Sequence, residues 1–355
     1  MSDPLPVTMQ IIADEAGVSR MAVSLALRNS PKISAKTRER IREIADRLGY
    51  RPNPLVSALM TQLRDIRRVP RPTTLAFVTN YATADGWRKP GPFVDFFEGA
   101  KARAEALGYT LEEWWGAKPG LSPERFSDIL FNRNIHGLLI APLPAGGSTI
   151  SLDWPRFAMA TIAFSLAEPV LHRASNDQYL SIGMAIEQLM RLGYRRIGLA
   201  LTDDQDVRVQ RKWSAGYLVH QHSLPATQRV PALLANGAFP RAFTEWYRQH
   251  EPDVVLSQEP RCIEYLRDLG MRVPNDVGFA HLALTESDEG FAGINQNSRL
   301  VGSSAIDLID AQLRRNERGL PTAPKTVLSL GRWIAGPTVR DVTADKPVAK
   351  KKARK

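Results

Sequence analysis

Apolar side chains recur at helical spacing through the first fifty residues, and this pattern predicts three short helices. The link between the first two is only a few residues long and contains Gly17, which is typical of a helix-turn-helix. Serine and threonine are placed to cap the helices, and glycines are placed to end them. The predicted helices span 9–16 (capped by Thr8, ended by Gly17), about 20–27 (begun by Ser19) and 35–48 (capped by Ser34, ended by Gly49).

The pattern breaks at two prolines. Pro52 disfavours helix at the residue before it, and Asn53 is then placed to cap a new helix whose first position is Pro54. That helix, over about 55–63, has apolar side chains but little in its own chain to pack against. The basic, proline-bearing stretch 64–73 is predicted to be a linker.

From residue 74 onward, buried-strand runs alternate with helical runs, which predicts parallel sheets. The number of units favours two doubly wound lobes, with a ligand cleft at the carboxyl ends of the strands. The predicted strands cover 75–81, 111–115, 136–142, 158–164, 196–201, 253–257 and 277–282, and the helices cover 94–107, 122–133, 180–192, 212–223, 241–250, 261–269 and 298–315.

Charge is concentrated at the two ends of the chain. The formal net charge is +10, of which residues 1–72 hold +6 and residues 346–355 hold another +6, so the remainder is slightly negative. Basic ends on a nearly neutral body indicate polyanion binding by the ends and another task for the middle. The segment 341–355 is basic and poor in large apolar residues, and it is predicted to be a disordered tail, either solubilising or adding non-specific DNA affinity.

Composition and motifs argue against several classes of protein. At 355 residues and 43% hydrophobic content, the chain is long enough for two or three globular domains. We expect a cytoplasmic location, because one cysteine excludes an intramolecular disulfide and neither a signal peptide nor a membrane-spanning run is evident. Nucleotide-binding glycine loops, a His-Glu-x-x-His motif and a nucleophile elbow are also missing, so we expect no enzyme activity, no cofactor and no metal.

Two stretches then identify a family. IIADEAGVSRMAVSLAL and SPKISAKTRERIREIADRLGYRPNPLVSAL, within residues 9–59, resemble the DNA-binding headpiece of the lactose-repressor (LacI/GalR) family of bacterial transcription regulators. The body resembles the periplasmic-binding-protein-like domain of that family through GPFVDFFEGA, IHGLLIAP, LGYRRIGLAL and GMRVPNDVGF. The expected architecture is α/β: a three-helix headpiece (1–52), a hinge helix and linker (53–73), a two-lobed effector-binding and dimerisation domain (74–340) and the basic tail (341–355).

The resemblance implies a homodimer that binds a near-palindromic operator. The second helix would lie in the major groove, with Arg20 able to bond a guanine and Met21 limited to apolar contacts. Leu25 stands where the family often has a polar residue. Leu59 matches the leucine that wedges into the minor groove. The expected DNA-binding residues are Ser19, Arg20, Met21, Ser24, Leu25, Asn53 and Leu59.

The resemblance also implies an effector site in the cleft, and here the sequence departs most from sugar-binding members. The acidic, basic and amide side chains that bind sugar hydroxyls in those members are largely replaced in this sequence. Aromatic residues are placed instead to supply flat apolar faces to a ligand. A carbohydrate effector is favoured by the family alone. The expected effector contacts are Phe93, Phe164, Asp177, Trp213, Gln258, Glu259 and Gln296.

The sequence therefore predicts a DNA-binding transcriptional regulator, most simply a repressor, that responds to a small molecule. Two alternatives stay open. In the first, the cleft no longer binds a small molecule, and the regulator is constitutive or controlled by a protein partner. The chain can also be an architectural DNA-binding protein with a structural body.

Overall fold

The computed structural model describes residues 8–27, 30, 32–50, 73–88, 91–146, 148–285 and 290–343. The predicted hinge helix and most of the linker lie outside the described residues, as does the predicted tail from residue 344 onward. Asn53 and Leu59, two of the predicted DNA-binding residues, also lie outside the described residues.

The headpiece consists of three helices, as the sequence predicts. They are α1 (Met9–Ala16), α2 (Arg20–Leu27) and α3 (Ala35–Arg47). The Thr8 hydroxyl accepts a hydrogen bond from the Ile11 N–H at 3.5 Å, and Gly17 ends α1 with a φ of 61°. A small core joins the helices through eight buried side chains: Ile12, Ala13, Ala16, Val23, Ala26, Ile41, Ile44 and Ala45.

Lobe 1 contains a six-stranded parallel sheet in the order β13-β7-β5-β3-β1-β2. Three helices cover its faces. Its elements are β1 (Thr73–Thr79), α4 (Phe93–Ala106), β2 (Tyr109–Trp115), α5 (Pro123–Asn132), β3 (Gly137–Ile140), β5 (Ala158–Ile162), β7 (His172–Asn176), α11 (Ser298–Arg315) and β13 (Thr326–Ser329), with a short side pair of β4 (Ser148–Thr149) and β6 (Leu166–Glu168).

Lobe 2 contains a second six-stranded sheet in the order β14-β12-β11-β10-β8-β9, in which only β14 is antiparallel to its neighbour. Its elements are α6 (Gln178–Arg191), β8 (Ile197–Thr202), α7 (Asp203–Val207), α8 (Lys212–Ser223), β9 (Leu233–Ala235), α9 (Phe239–His250), β10 (Val254–Ser257), α10 (Cys262–Asp268), β11 (Gly278–Leu284), β12 (Ala292–Asn295) and β14 (Arg332–Ile334). The prediction of two doubly wound lobes is confirmed.

The chain passes between the lobes three times, after β7, after β12 and after β13. The side chain of Asn176 connects all three passages. Its amide nitrogen donates to the Gln296 carbonyl at 3.3 Å and to the Ser329 carbonyl at 3.1 Å. Its oxygen accepts from the Ser181 hydroxyl at 3.2 Å. Because Asn176 is only 2% exposed, these hydrogen bonds form a buried connection between the three segments that join the lobes.

Seven strands and one short helix were not predicted by the sequence pattern: β4, β6, β7, β9, β12, β13, β14 and α7. The strand β7 is the instructive case. All five of its residues are buried, yet its sequence HRASN is mostly polar. Its polar groups are satisfied by the crossover and by neighbouring carbonyls, so hydrophobicity does not reveal it.

Two glycines allow α4 and α11 to cross in contact. A Cβ built on Gly302 would lie 1.9 Å from the Phe96 carbonyl oxygen, and one on Gly99 would lie 2.0 Å from the Arg299 oxygen. We expect Gly302→Ala to lower the free energy of unfolding by about 1–3 kcal/mol, because backbone must move.

A matched control is available in α6. A Cβ on Gly183 would meet no atom within 4 Å, so Gly183→Ala should stabilise the protein by about 0.5–1 kcal/mol. Urea denaturation of both variants measures the difference. Equal effects of the two substitutions would contradict the close helix crossing.

Candidate DNA-reading surface and interlobe cavity

The helix α2 presents most of the predicted DNA-reading residues on one exposed face. Arg20 begins the helix and is exposed, and Met21 is 73% exposed. Ser24 and Leu25 follow one turn later and are half-buried. The Ser19 hydroxyl accepts the N–H three residues further along at 3.2 Å, so it caps the helix. The arrangement suits a helix whose first turn meets base edges.

The opposite face of α2 is fixed to the headpiece core. Val23 and Ala26 are fully buried there. From α3, the Arg40 guanidinium donates to the Ala16 carbonyl at the end of α1 at 2.5 Å. These contacts hold the reading face at a constant angle to the other two helices.

A cavity of about 290 Å³ lies between the lobes, at the carboxyl ends of both sheets. Its volume is near the lower end of the ~300–1,000 Å³ typical of small-molecule sites. Phe93, Gln258 and Gln296 line it, as predicted for effector contacts. Five amide side chains contribute to the wall: Asn176, Gln178, Gln205, Gln258 and Gln296.

Some of these amides have hydrogen-bonding capacity left for a ligand. The Gln296 amide nitrogen donates to the Leu282 carbonyl at 2.9 Å, which orients the side chain. The Gln178 amide oxygen is buried and has no donor within the described part of the chain. A buried acceptor without a donor is unfavourable, and a ligand hydroxyl or N–H would satisfy it.

The ring of His281 forms another part of the wall. His281 Nδ1 accepts the Ala283 N–H at 3.2 Å, and Nε2 lies 3.1 Å from the Gln258 carbonyl oxygen. Both ring nitrogens therefore lie within hydrogen-bonding distance of backbone groups. The ring also fixes the backbone at Gln258, so it shapes the cavity.

Two predicted aromatic contacts do not line the cavity. Trp213 is 0% exposed and belongs to the hydrophobic core of lobe 2, because its place in the first turn of α8 directs it inward. The face of Phe164 is covered by cations: the Arg173 guanidinium carbon lies 4.9 Å and the Lys212 Nζ 4.0 Å from its ring centroid. The expectation that either ring forms a ligand platform is corrected.

Two predicted acidic contacts also lie elsewhere. Asp177 caps α6 by accepting the Leu180 N–H at 3.0 Å. Glu259 binds Arg261 through both carboxylate oxygens at 3.0 Å, and this bond holds the pKa of Glu259 below its usual value. Both carboxylates serve local structure and are removed from the expected effector contacts.

Sequence reasoning missed Arg208, Gln205 and His281, which all line the cavity. Gln205 lies in α7, a short helix that directly follows β8, and Arg208 is the residue after the end of that helix. Their position after the carboxyl end of a central strand is the one sequence signal that points to them.

The described residues give little support to a cysteine nucleophile, a metal site or a membrane-spanning helix. Burial raises the pKa of the Cys262 thiol to about 12, so it is not a poised nucleophile. No group of three or more metal-ligating His, Cys, Asp or Glu side chains occurs in the described ranges. Within those ranges, none of the helices has the length and apolarity needed to cross a membrane.

Two family models match the chain. The model for bacterial regulatory proteins of the lacI family matches residues 8–53, and a periplasmic binding protein-like domain matches residues 186–339. The chain belongs to the LacI family. It is a DNA-binding transcriptional regulator, and the prediction that it is not an enzyme is confirmed by the family.

Similarity to individual LacI-family members extends over nearly the whole chain. The HTH-type transcriptional repressor CytR of Escherichia coli (strain K12) is 25% identical over 337 residues, covering 88% of this chain and 91% of CytR. A CelR–cellobiose complex aligns with a TM-score of 0.55 at 18% identity, covering 94% and 99% of the two chains. A Lac repressor dimer bound to operator and the anti-inducer ONPF gives 0.52 at 18%, covering 95% and 100%. At this identity the structural matches show the fold.

Proposed function

We propose that this LacI-family regulator binds a near-palindromic operator as a homodimer, and that a small polar molecule in the interlobe cavity changes its affinity for the operator. The observation that carries the proposal is the amide-lined cavity between two lobes of a chain that also has an exposed reading helix. Repression is the favoured sign of control, because CytR is named a repressor. A protein that acts on bacterial chromosomal DNA works in the cytoplasm.

Operator reading would be shared between α2 and the hinge. Ser19, Arg20, Met21, Ser24 and Leu25 would face the major groove. For Asn53 and Leu59, the support is the family resemblance of their segment, in which the leucine would wedge between base pairs.

Dimerisation is supported by apolar side chains left exposed on both lobes. Leu180, Leu218 and Val219 of lobe 2 are 49%, 56% and 60% exposed, and Leu300 of lobe 1 is 53% exposed. Leu180 lies on α6 and Leu218 and Val219 lie on α8, and these two helices pack against each other, so their exposed apolar side chains can form a contact surface for a second copy. The Lac repressor, one of the structures similar to this chain, binds its operator as a dimer.

The effector would be a carbohydrate-related molecule. Neutral amides can both donate to and accept from hydroxyl groups, and the wall contains five of them. A structural neighbour was solved with cellobiose, which supports the same class.

Selection of DNA sequences by the purified full-length protein tests the proposal. We expect one near-palindromic motif whose affinity changes when a stabilising ligand is added. Binding governed by DNA shape without a motif would favour the architectural alternative. A motif whose affinity no ligand alters would favour the constitutive or partner-controlled regulator.

Arg20→Ala should weaken operator binding by about 1–3 kcal/mol and relax the preference at one base position, because a bidentate contact to guanine is lost. Arg191, which is 69% exposed on lobe 2, provides a control in Arg191→Ala. Fluorescence anisotropy on operator and scrambled DNA measures both. An equal loss on the two DNAs would assign Arg20 to a phosphate instead.

A further inference from the structure

Arg208 reaches from lobe 2 across the cavity to lobe 1. Its Nη2 donates to the Leu143 carbonyl at 2.9 Å and approaches the Pro144 carbonyl at 3.5 Å. Its guanidinium carbon lies 5.7 Å from the centroid of Phe93. The side chain thus forms part of the cavity wall while it holds on to the opposite lobe.

Arg208 has no carboxylate partner within the described part of the chain. The acidic residues of the adjacent α7 are engaged elsewhere. Arg211 Nη1 lies 2.9 Å from Asp203 Oδ1 and 3.8 Å from Asp206 Oδ2, while Asp204 Oδ1 lies 3.4 Å from the Gly146 N–H. The partners of Arg208 are carbonyl oxygens and the Tyr81 hydroxyl, so its charge is not neutralised by them. The fork of N–H donors of a guanidinium matches the oxygens of a carboxylate or phosphate.

Two more cations lie next to the same wall. Arg173 and Lys212 flank the ring of Phe164, whose chain neighbours Ala163 and Ser165 line the cavity. Arg173 is 5% exposed, and its guanidinium donates to the Ala163 carbonyl at 2.7 Å and to the Leu166 carbonyl at 3.1 Å. Lys212 donates to the Gln210 amide oxygen at 2.9 Å.

The pKa values of both flanking groups are lowered. Burial lowers the pKa of Arg173. Burial and then the charge of Arg173 lower the pKa of Lys212, while Asp177 acts in the opposite direction. Three cations, Arg173, Lys212 and Arg208, thus lie on or beside this side of the cavity, and a bound anion would offset their mutual repulsion.

We propose that the effector carries an acidic group, a carboxylate or a phosphate, and that Arg208 binds it. Among the described residues that line the cavity, Arg208 is the charged one, so it decides between acidic and neutral ligands of the same shape. The amide side chains would bind the hydroxyls of such a molecule. An acidic sugar derivative thus satisfies both parts of the wall. This inference rests on the proposed effector function and specifies its chemistry.

The test compares acidic and neutral probes of matched shape on the full-length protein. Glucose is paired with glucuronate, gluconate and glucose 6-phosphate, and galactose with galacturonate, by thermal shift and calorimetry. We expect at least one acidic probe to raise Tm by several degrees at saturating concentration, and its neutral partner to bind much more weakly. The sugar acids and glucose 6-phosphate distinguish a carboxylate from a phosphate.

Variants assign the effect to Arg208. Arg208→Gln should weaken the acidic probe about 10- to 100-fold, since a charge-assisted hydrogen bond is lost. Arg208→Lys should weaken it less, because the charge remains. Arg191→Gln, a charge change on the exposed surface of lobe 2, should leave probe binding unchanged. Circular dichroism and operator binding without ligand show whether each variant is folded.

Two results would overturn the proposal. One is the finding that a neutral sugar binds the wild type and Arg208→Gln equally well. This result would contradict an acidic effector but would still agree with a regulator that an effector controls. The other is the absence of any Arg208-dependent shift with all the acidic probes. The regulator itself fails on a different measurement, namely the absence of an operator motif.

Discussion

Replacing Trp213 with alanine is expected to lower the free energy of unfolding by about 3–5 kcal/mol. The indole is 0% exposed in the core of lobe 2, where it belongs to the same cluster as Ile182 and Leu199. Truncation removes a large buried apolar surface and leaves a cavity that the surrounding helices and sheet can fill only in part. Chemical denaturation followed by circular dichroism measures the loss.

Trp213→Phe is the matched control. The Trp213 indole nitrogen is buried without a hydrogen-bond acceptor within the described residues, so phenylalanine loses no hydrogen bond and most of the packing remains. We expect the phenylalanine variant to lose less than half as much stability as the alanine variant. A Trp213→Ala protein of normal stability but impaired effector binding would restore Trp213 as a ligand contact.

The headpiece was predictable because its signals are local. Thr8 and Ser34 accept hydrogen bonds from the first turns of their helices, and Gly17 adopts the left-handed backbone conformation that ends α1. These interactions join residues three or four positions apart, so a short stretch of sequence is enough to predict them. The predicted bounds of α1–α3 therefore agree with the structure to within a residue or two.

The cavity was harder to predict, because position after a strand does not fix the direction of a side chain. Gln258 and Gln296 were chosen by such positions and do line the cavity. Phe164 was chosen in the same way, but it follows Ala163 with a φ of 59°, and its ring lies between two cations. Contacts between the lobes decide these cases, and they join residues far apart in the sequence.

Asn176→Asp is expected to destabilise the protein by about 3–5 kcal/mol at pH 7, although the two side chains have nearly the same shape. The Asn176 amide nitrogen donates to the carbonyls of Gln296 and Ser329, on two other passages between the lobes. A carboxylate would direct an oxygen at these carbonyl oxygens and bury a charge without a partner. The loss should shrink toward pH 4, because a protonated carboxyl group can again donate.

Asn295→Asp is the control at the end of the neighbouring crossover strand. Asn295 is also buried, at 6% exposure, but it uses its oxygen, which accepts the Asn297 N–H at 2.8 Å. A carboxylate retains that bond, so we expect a smaller loss of stability. Differential scanning calorimetry at pH 7 and pH 4 compares the two variants. If Asn176→Asp were no more harmful than Asn295→Asp, the three crossovers would not depend on the Asn176 amide, and the coupling of the lobes would have to come from their backbone contacts alone.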